Sequence, residues 1–383
     1  MASDTHSFFG KLGLAVRIPL AVKDLVIILI RGLPLAIRRR IPLRFFFASS
    51  VGRTLLGSFS PNQIQYLTTP TLEVYETWVK KLRAKLIQQT PQGPLNLLNL
   101  DIENLGGTGA SVMWIGDRKE ASKIVLFFHG GGYIAPPLPG HFTWCWEAYV
   151  NASLGAKAHV AVAVLQYTLS PRAQYPDQLH QASSALNHLL QSGVNPRDLI
   201  FGGDSAGGNL TVQLLYHILH PHPNIPPVKL VQPVAGIFLV SPWLSNRTDT
   251  ASFKENSNVD MLSSGLIQQA SHHAVRRDDL APKSNEAHPV FAMDGDLSWL
   301  EHVYDITNAL YITAGRQEVF RDAIVGFAEA VRRRCPSVSV DVEVSDHEAH
   351  DYILLENDAG IIGDATQRMR RWASGRLATY ESL

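Results

Sequence analysis

Asp198-Leu199-Ile200-Phe201-Gly202-Gly203-Asp204-Ser205-Ala206-Gly207-Gly208-Asn209-Leu210 is the stretch whose reading decides the fold. An apolar strand pattern over Asp198 to Gly202 runs into Gly203-Asp204-Ser205-Ala206-Gly207, and a helical pattern follows over Leu210 to Leu219. G-x-S-x-G between a strand and a helix is the pattern of a nucleophile elbow. Its glycines are required because the turn is strained and lies close to neighbouring backbone. The helix that follows aims its first amides at developing negative charge.

Working outward, the run Lys123 to Phe128 ends in His129-Gly130-Gly131-Gly132-Tyr133. Glycines here let backbone N–H groups approach an acyl carbonyl oxygen, as an oxyanion loop requires. The loop lacks the G-x-x-x-x-G-K-[ST] of a phosphate cradle. Further strand patterns fall at Ser111 to Ile115, His159 to Gln166, Gly236 to Ser241, Ala309 to Thr313 and Val338 to Val344. Helical spacing between them (Gln181 to Leu190, Asp322 to Arg334) predicts an α/β chain with a mostly parallel central sheet and helices on both faces.

The two glycine loops, 75 positions apart from Gly130 to Ser205, together with Tyr167-Thr168-Leu169-Ser170-Pro171 and Ser241-Pro242-Trp243, resemble the hormone-sensitive-lipase-like branch of the α/β hydrolases over residues 95 to 375. The basic, apolar N-terminus is most similar to fungal members that deacetylate sterols or tailor secondary metabolites. The resemblance implies the α/β-hydrolase fold with a helical cap and a triad in the order Ser205, acid, histidine. Gly315 to Asp322 is similar to the family's acid loop, with Glu318 at the acid position and Asp322 as the alternative. The aromatic residue two places after the family's histidine selects His350 through Tyr352, with His347 as the competitor. Gly131, Gly132 and Ala206 are then the oxyanion donors, within a substrate-binding set that adds His129, Gly130 and Trp243; Asp204 supports the elbow. No cofactor is implied. The short His347-Glu348-Ala349-His350 run lacks the spacing of a zinc-binding H-E-x-x-H, so no metal is expected either.

The chain of 383 residues has 34 basic and 34 acidic residues, so no global field points to nucleic acid. Neutrality hides an asymmetry: nine basic residues lie between Lys11 and Arg53 against Asp24 alone, a local +8. Residues 1–94 are expected to form a basic, apolar helical region, cut into short pieces by Pro19, Pro34 and Pro42, serving as a cap, a membrane-surface segment or both. Residues 95–383 form the catalytic domain, with a cap insertion over about 245–300. The uncharged runs are too short to span a bilayer. Without a clean secretory signal, the expected location is cytoplasmic or peripheral on an intracellular membrane such as the endoplasmic reticulum. Cys145 and Cys335 offer neither a disulfide framework nor a zinc spacing.

The reading is a serine carboxylic-ester hydrolase cleaving a short-chain, acetyl-like ester of a lipophilic small molecule. A transacylase or a biosynthetic condensation or cyclisation enzyme uses the same fold. A non-catalytic ligand receptor, as in the plant gibberellin receptor, is the alternative from another class. The acyl group, the alcohol and the oligomeric state are not encoded in any motif.

Overall fold

Runs such as Lys123–Phe128 and Val160–Gln166 are almost wholly apolar, and a strand of that kind is stable only with both faces of its sheet covered. The computed structural model describes residues 8–89, 95–154, 158–276 and 290–377. It contains β1 (Ile102–Leu105), β2 (Ala110–Ile115), β3 (Lys123–Phe128), β4 (Val160–Gln166), β5 (Leu199–Asp204), β6 (Gly236–Val240), β7 (Ala309–Gly315) and β8 (Ser339–Ser345). These form one sheet in the order β1-β2-β4-β3-β5-β6-β7-β8. The pairs from β4 to β8 are parallel, whereas β1–β2 and β2–β4 are antiparallel. The fold is an α/β hydrolase, as expected. Strand β1 has no counterpart in the sequence reading, because Ile102-Glu103-Asn104-Leu105 carries little apolar signal and, among the described residues, is paired on one edge only.

The helices are α1 (Phe8–Arg38), α2 (Leu43–Ser58), α3 (Pro61–Leu67), α4 (Thr71–Gln89), α5 (Pro139–Cys145), α6 (Asp177–Gln191), α7 (Ser205–Leu219), α8 (Ala251–Asn256), α9 (Ser264–Ala274), α10 (Arg321–Arg334), α11 (Tyr352–Asp358) and α12 (Asp364–Leu377). Alternation along β3 sends Leu126 and Phe128 to the face covered by α6, α7 and α10. It sends Val125 and Phe127 to the face covered by α4, α5 and α12. Each fully buried phenylalanine on these faces contributes roughly 1.5–3 kcal/mol.

The N-terminal region departs from expectation. Pro19 and Pro34 do not cut it: α1 runs unbroken through both. Each proline removes one helical hydrogen bond. Packing outweighs that loss, since Ala36 is buried with Phe46, Ile41 and Val259, and Ala21 with Phe59 and Ile64. The helix ends at Arg38, Arg40 turns the chain with a left-handed φ of 57°, and Pro42 then leads into α2. Among the described residues no helix is long and apolar enough to cross a membrane. The segment expected to form a cap insertion, about 245–300, holds α8 and α9 between β6 and β7, and its residues 277–289 lie outside the described residues.

The parallel register pairs Phe128 at the end of β3 with Gly203 near the end of β5. A side chain at Gly203 or at Gly207 would collide with the Phe128 carbonyl oxygen, so both positions require glycine for the elbow to seat against β3. Gly207→Ala is therefore expected to destabilise the fold by roughly 1–3 kcal/mol or more. Thermal denaturation monitored by circular dichroism tests this, and an unchanged midpoint would contradict the close approach.

Candidate active site

The loops that carry the sequence motifs all leave the carboxyl ends of neighbouring parallel strands, where open α/β sheets place their ligands. Ser205 follows β5 directly and adopts φ 49°, the left-handed strain of an elbow, at the first residue of α7. Asp204, fully buried beneath it, accepts hydrogen bonds from Gly130 N (3.0 Å) and from His141 Nε2 (3.2 Å). The Leu138 N–H donates to His141 Nδ1 at 2.9 Å, which leaves the ring proton on Nε2. Burial opposes a charge on His141, but Asp204 outweighs it and raises the imidazole's pKa. Asp204 thus fastens the elbow to the glycine loop after β3.

That loop turns through Gly131 (φ 102°) and Gly132 (φ 61°), conformations that strain any side-chain-bearing residue. His129 lies behind the loop. It is buried, stacks on the Tyr167 ring at 4.3 Å, and places Nδ1 2.7 Å from the Gly130 carbonyl. Burial lowers its pKa to about 3, so the ring is neutral and braces the loop from behind.

His350 lies on the loop after β8, with Nε2 2.9 Å from Ser205 Oγ. The Phe320 ring meets the imidazole edge-on at 5.3 Å. His347, the competitor, is only a loop residue, its Nδ1 3.1 Å from the Arg39 carbonyl. Glu318 is fully buried after β7, and its Oε2 accepts from Ser241 Oγ (2.6 Å) and Gly315 N (2.9 Å). Among the described residues no hydrogen bond reaches Glu318 Oε1 or His350 Nδ1; both are buried and lack partners. Asp322 is engaged elsewhere, accepting from Ser252 N at 2.8 Å and pairing with Arg321 at 3.0 Å.

Two carboxylates that sequence reasoning passed over also lie beside His350. Asp351, left-handed at φ 52°, places Oδ2 3.2 Å from His350 Nε2, and its N–H donates to Ser241 Oγ at 3.2 Å. Asp260, between α8 and α9, accepts from Val319 N at 2.5 Å and from His350 N at 3.4 Å. Burial pushes Glu318 up to about 8 against the pull of the imidazole, with Asp260 adding to the rise. Burial also raises the carboxyls of Asp260 and Asp351 against the same pull. Burial would lower the pKa of His350, but Asp351, Glu318 and Asp260 outweigh it and raise the imidazole above its ordinary range. The arrangement can hold a proton on the imidazole and accept one from the serine hydroxyl.

A family model described as alpha/beta hydrolase fold matches residues 125–354. The chain belongs to the α/β-hydrolase fold family. It is similar to an esterase of Acinetobacter venetianus, 26% identical over 45% of this chain and 53% of that protein. It is also similar to an acetyl-hydrolase of Streptomyces hygroscopicus, 26% identical over 55% of this chain and 62% of that one. The match therefore spans little more than half the length of these curated relatives. Among solved structures, an esterase of the bacterial hormone-sensitive lipase family superposes with a TM-score of 0.56 at 20% identity, covering 81% of this chain and 98% of that one.

Two features of this α/β hydrolase lie beyond its motifs. Trp243, expected at the substrate, is buried between Phe291 and Phe320, and its Nε1 donates to the Ser245 carbonyl at 3.0 Å. Its backbone N–H instead donates to the Ser205 carbonyl at 2.9 Å. A cleft of about 900 Å³ opens between α2, α4 and the glycine loop, lined by Leu55, Leu56, Leu67, Trp78, Trp146 and Gly131 among others. Nothing in the sequence pattern marks it, because its walls come from segments far apart in the chain, from α2 to α11.

The charge cluster yields a measurable expectation. The His350 imidazole should lose its proton above the ordinary value of about 6.5. Asp351→Asn, which removes one of the negative charges favouring the imidazolium, should move that titration to lower pH. Imidazole-selective NMR titration checks both, and an Asp351→Asn curve overlying the wild type would contradict the assignment.

Proposed function

We propose that the protein is a serine carboxylic-ester hydrolase that works through an acyl-enzyme. The observation that carries this reading is the 2.9 Å approach of Ser205 Oγ to His350 Nε2 inside a buried, strained elbow. Ser205 attacks the ester carbonyl as His350 takes its proton, and the carboxylate of Glu318 stabilises the imidazolium that forms. Backbone N–H groups of Gly131, Gly132 and Ala206 receive the oxyanion. The imidazolium then protonates the leaving alcohol, and a water deprotonated by the same imidazole cleaves the acyl-enzyme.

The acetyl-hydrolase relative supports a short acyl group. The cleft beside Gly131, within the size range of small-molecule pockets, presents Leu55, Leu56, Leu67, Trp78 and Trp146 beside polar and charged residues such as Glu73, Lys81 and Lys85, and its apolar part supports a lipophilic alcohol. Ser205 is only 6% exposed. Such shelter from water favours a second reading, acyl transfer to an acceptor alcohol, which product analysis with added alcohols separates from hydrolysis. The direct serine–imidazole contact argues against a purely ligand-binding role.

The N-terminal helices support residence on a membrane surface. Val16, Val22, Ile30 and Ile37 of α1, with Phe47 and Val51 of α2, are exposed apolar side chains, and Arg17, Lys23, Arg31, Arg38 and Arg44 stand among them. An apolar face studded with cations suits an anionic lipid interface.

Ser205→Ala is expected to cut turnover of p-nitrophenyl acetate by at least about 10⁴-fold and to abolish the single fluorophosphonate adduct seen by intact mass. A variant that keeps either would overturn the mechanism. On flotation, the protein should rise with vesicles containing phosphatidylserine, and Val22→Ser combined with Ile30→Ser should weaken that association. Equal flotation of the two proteins would remove the membrane reading.

A further inference from the structure

Asp260 belongs to neither the acid loop nor the histidine loop, yet it touches both. It sits on the short segment between α8 and α9 and is buried to 2% exposure. Oδ2 accepts the N–H of Val319, the residue after Glu318, at 2.5 Å, and Oδ1 accepts the N–H of His350 itself at 3.4 Å. The end of α8 adds a second tie, because Asn256 Nδ2 donates to the Glu318 carbonyl at 2.8 Å and to the Arg316 carbonyl at 3.1 Å. Arg39 at the end of α1 then bonds Asn256 Oδ1 at 2.7 Å and Gln317 Oε1 at 2.9 Å. Arg53 of α2 reaches the Asp260 and Ser257 carbonyls.

We propose that Asp260 is a positioning residue for the Glu318–His350 pair, its two carboxylate oxygens spanning the two loops and setting the distance and charge between acid and imidazole. This rests on the hydrolase reading above. The need for such a strap is physical. Glu318 and His350 leave the ends of the adjacent strands β7 and β8 on separate loops, and Glu318 Oε1 and His350 Nδ1 are not joined by a hydrogen bond. Side chains that must meet within a fraction of an ångström need their loops locked by groups outside the pair. A carboxylate has enough lone pairs to accept from both backbones at once. The negative charge of Asp260 also favours the imidazolium, alongside Glu318 from the loop after β7 and Asp351 from the histidine's own loop, with Asp204 and His141 beyond Asp351. The N-terminal helices are thereby wired to the reacting groups, since Arg39 and Arg53 anchor the segment that carries Asp260.

The test compares the full-length wild type, Ser205→Ala, Asp260→Ala and Asp260→Asn on p-nitrophenyl acetate, with melting temperature measured for each. Asp260→Asn keeps the shape and one acceptor oxygen but loses the charge and turns an amide group toward the other N–H. Both Asp260 variants should lose about 10²-fold in kcat, with KM little changed. The acid limb of the pH profile should move to lower pH, and Asp260→Asn should recover melting temperature relative to Asp260→Ala without recovering that limb. An Asp260→Asn with the wild-type kcat and pH profile would overturn the proposal, as would an activity loss that tracks melting temperature with the profile unmoved. A wild type with neither turnover nor a fluorophosphonate adduct would instead overturn the hydrolase reading and the reaction that Asp260 is proposed to serve. With an active wild type beside an inactive Ser205→Ala, the kinetics of the two Asp260 variants bear on Asp260 alone.

Discussion

Everything at the candidate site depends on how closely the ends of β3 and β5 approach. Their register sets Phe128 against Gly203, and only glycine at 203 and 207 lets the elbow settle under the Phe128 carbonyl. Asp204 converts that proximity into a joint by binding Gly130 N and His141. The serine and the glycine loop that faces it are therefore parts of one rigid corner, held by backbone sterics and a buried carboxylate rather than by flexible side chains. The orientation of Ser205, the turn of Gly131 and Gly132, and the packing of α7 on β5 all follow from it.

The second half of the site is held differently. Glu318 and His350 ride on separate loops, and their environment is electrostatic: one imidazole is surrounded by the carboxylates of Glu318, Asp351 and Asp260, all out of water. Burying several like charges is unfavourable unless a cation lies among them. An imidazolium formed among them is such a cation: it pulls the carboxyl pKa values down against burial, and the carboxylates in turn raise the ring's. The same field that stabilises the imidazolium would assist it in forming as the serine gives up its proton.

The N-terminal helices connect to this chemistry from outside. The α1 helix is long, basic and apolar, survives two internal prolines through its packing, and leads into Arg39, whose guanidinium reaches Asn256 and Gln317. The α2 and α4 helices wall the large cleft. The region that composition leaves as a cap, a membrane-surface segment or both packs onto the catalytic fold, contributing hydrogen bonds to the acid loop and apolar walls beside the glycine loop.

The chemistry legible in the string was local chemistry. Gly203 to Gly207, His129 to Gly132, and the order Ser205, Glu318, His350 each sit within a few residues of a strand end, and the strand and helix periods around them specify an α/β sheet by short-range pattern. The near-polar edge strand β1 escaped that pattern, and the continuity of α1 through Pro19 and Pro34 ran against it, because each is stabilised by partners distant in sequence. The roles of Asp260 and Asp351 were equally invisible. Asp260 meets Val319 across 59 positions and His350 across 90, and an isolated acidic residue in a polar loop gives no sign of such contacts. Trp243 shows the converse: its neighbourhood in sequence suggested a substrate contact, while packing enclosed the indole between two phenylalanines. Local backbone preference and side-chain chemistry are written residue by residue, so the sequence alone decided the motifs and the fold class. Which carboxylates share one imidazole, and where the cleft opens, are set by distances between remote segments, and those distances come into being only when the chain has packed.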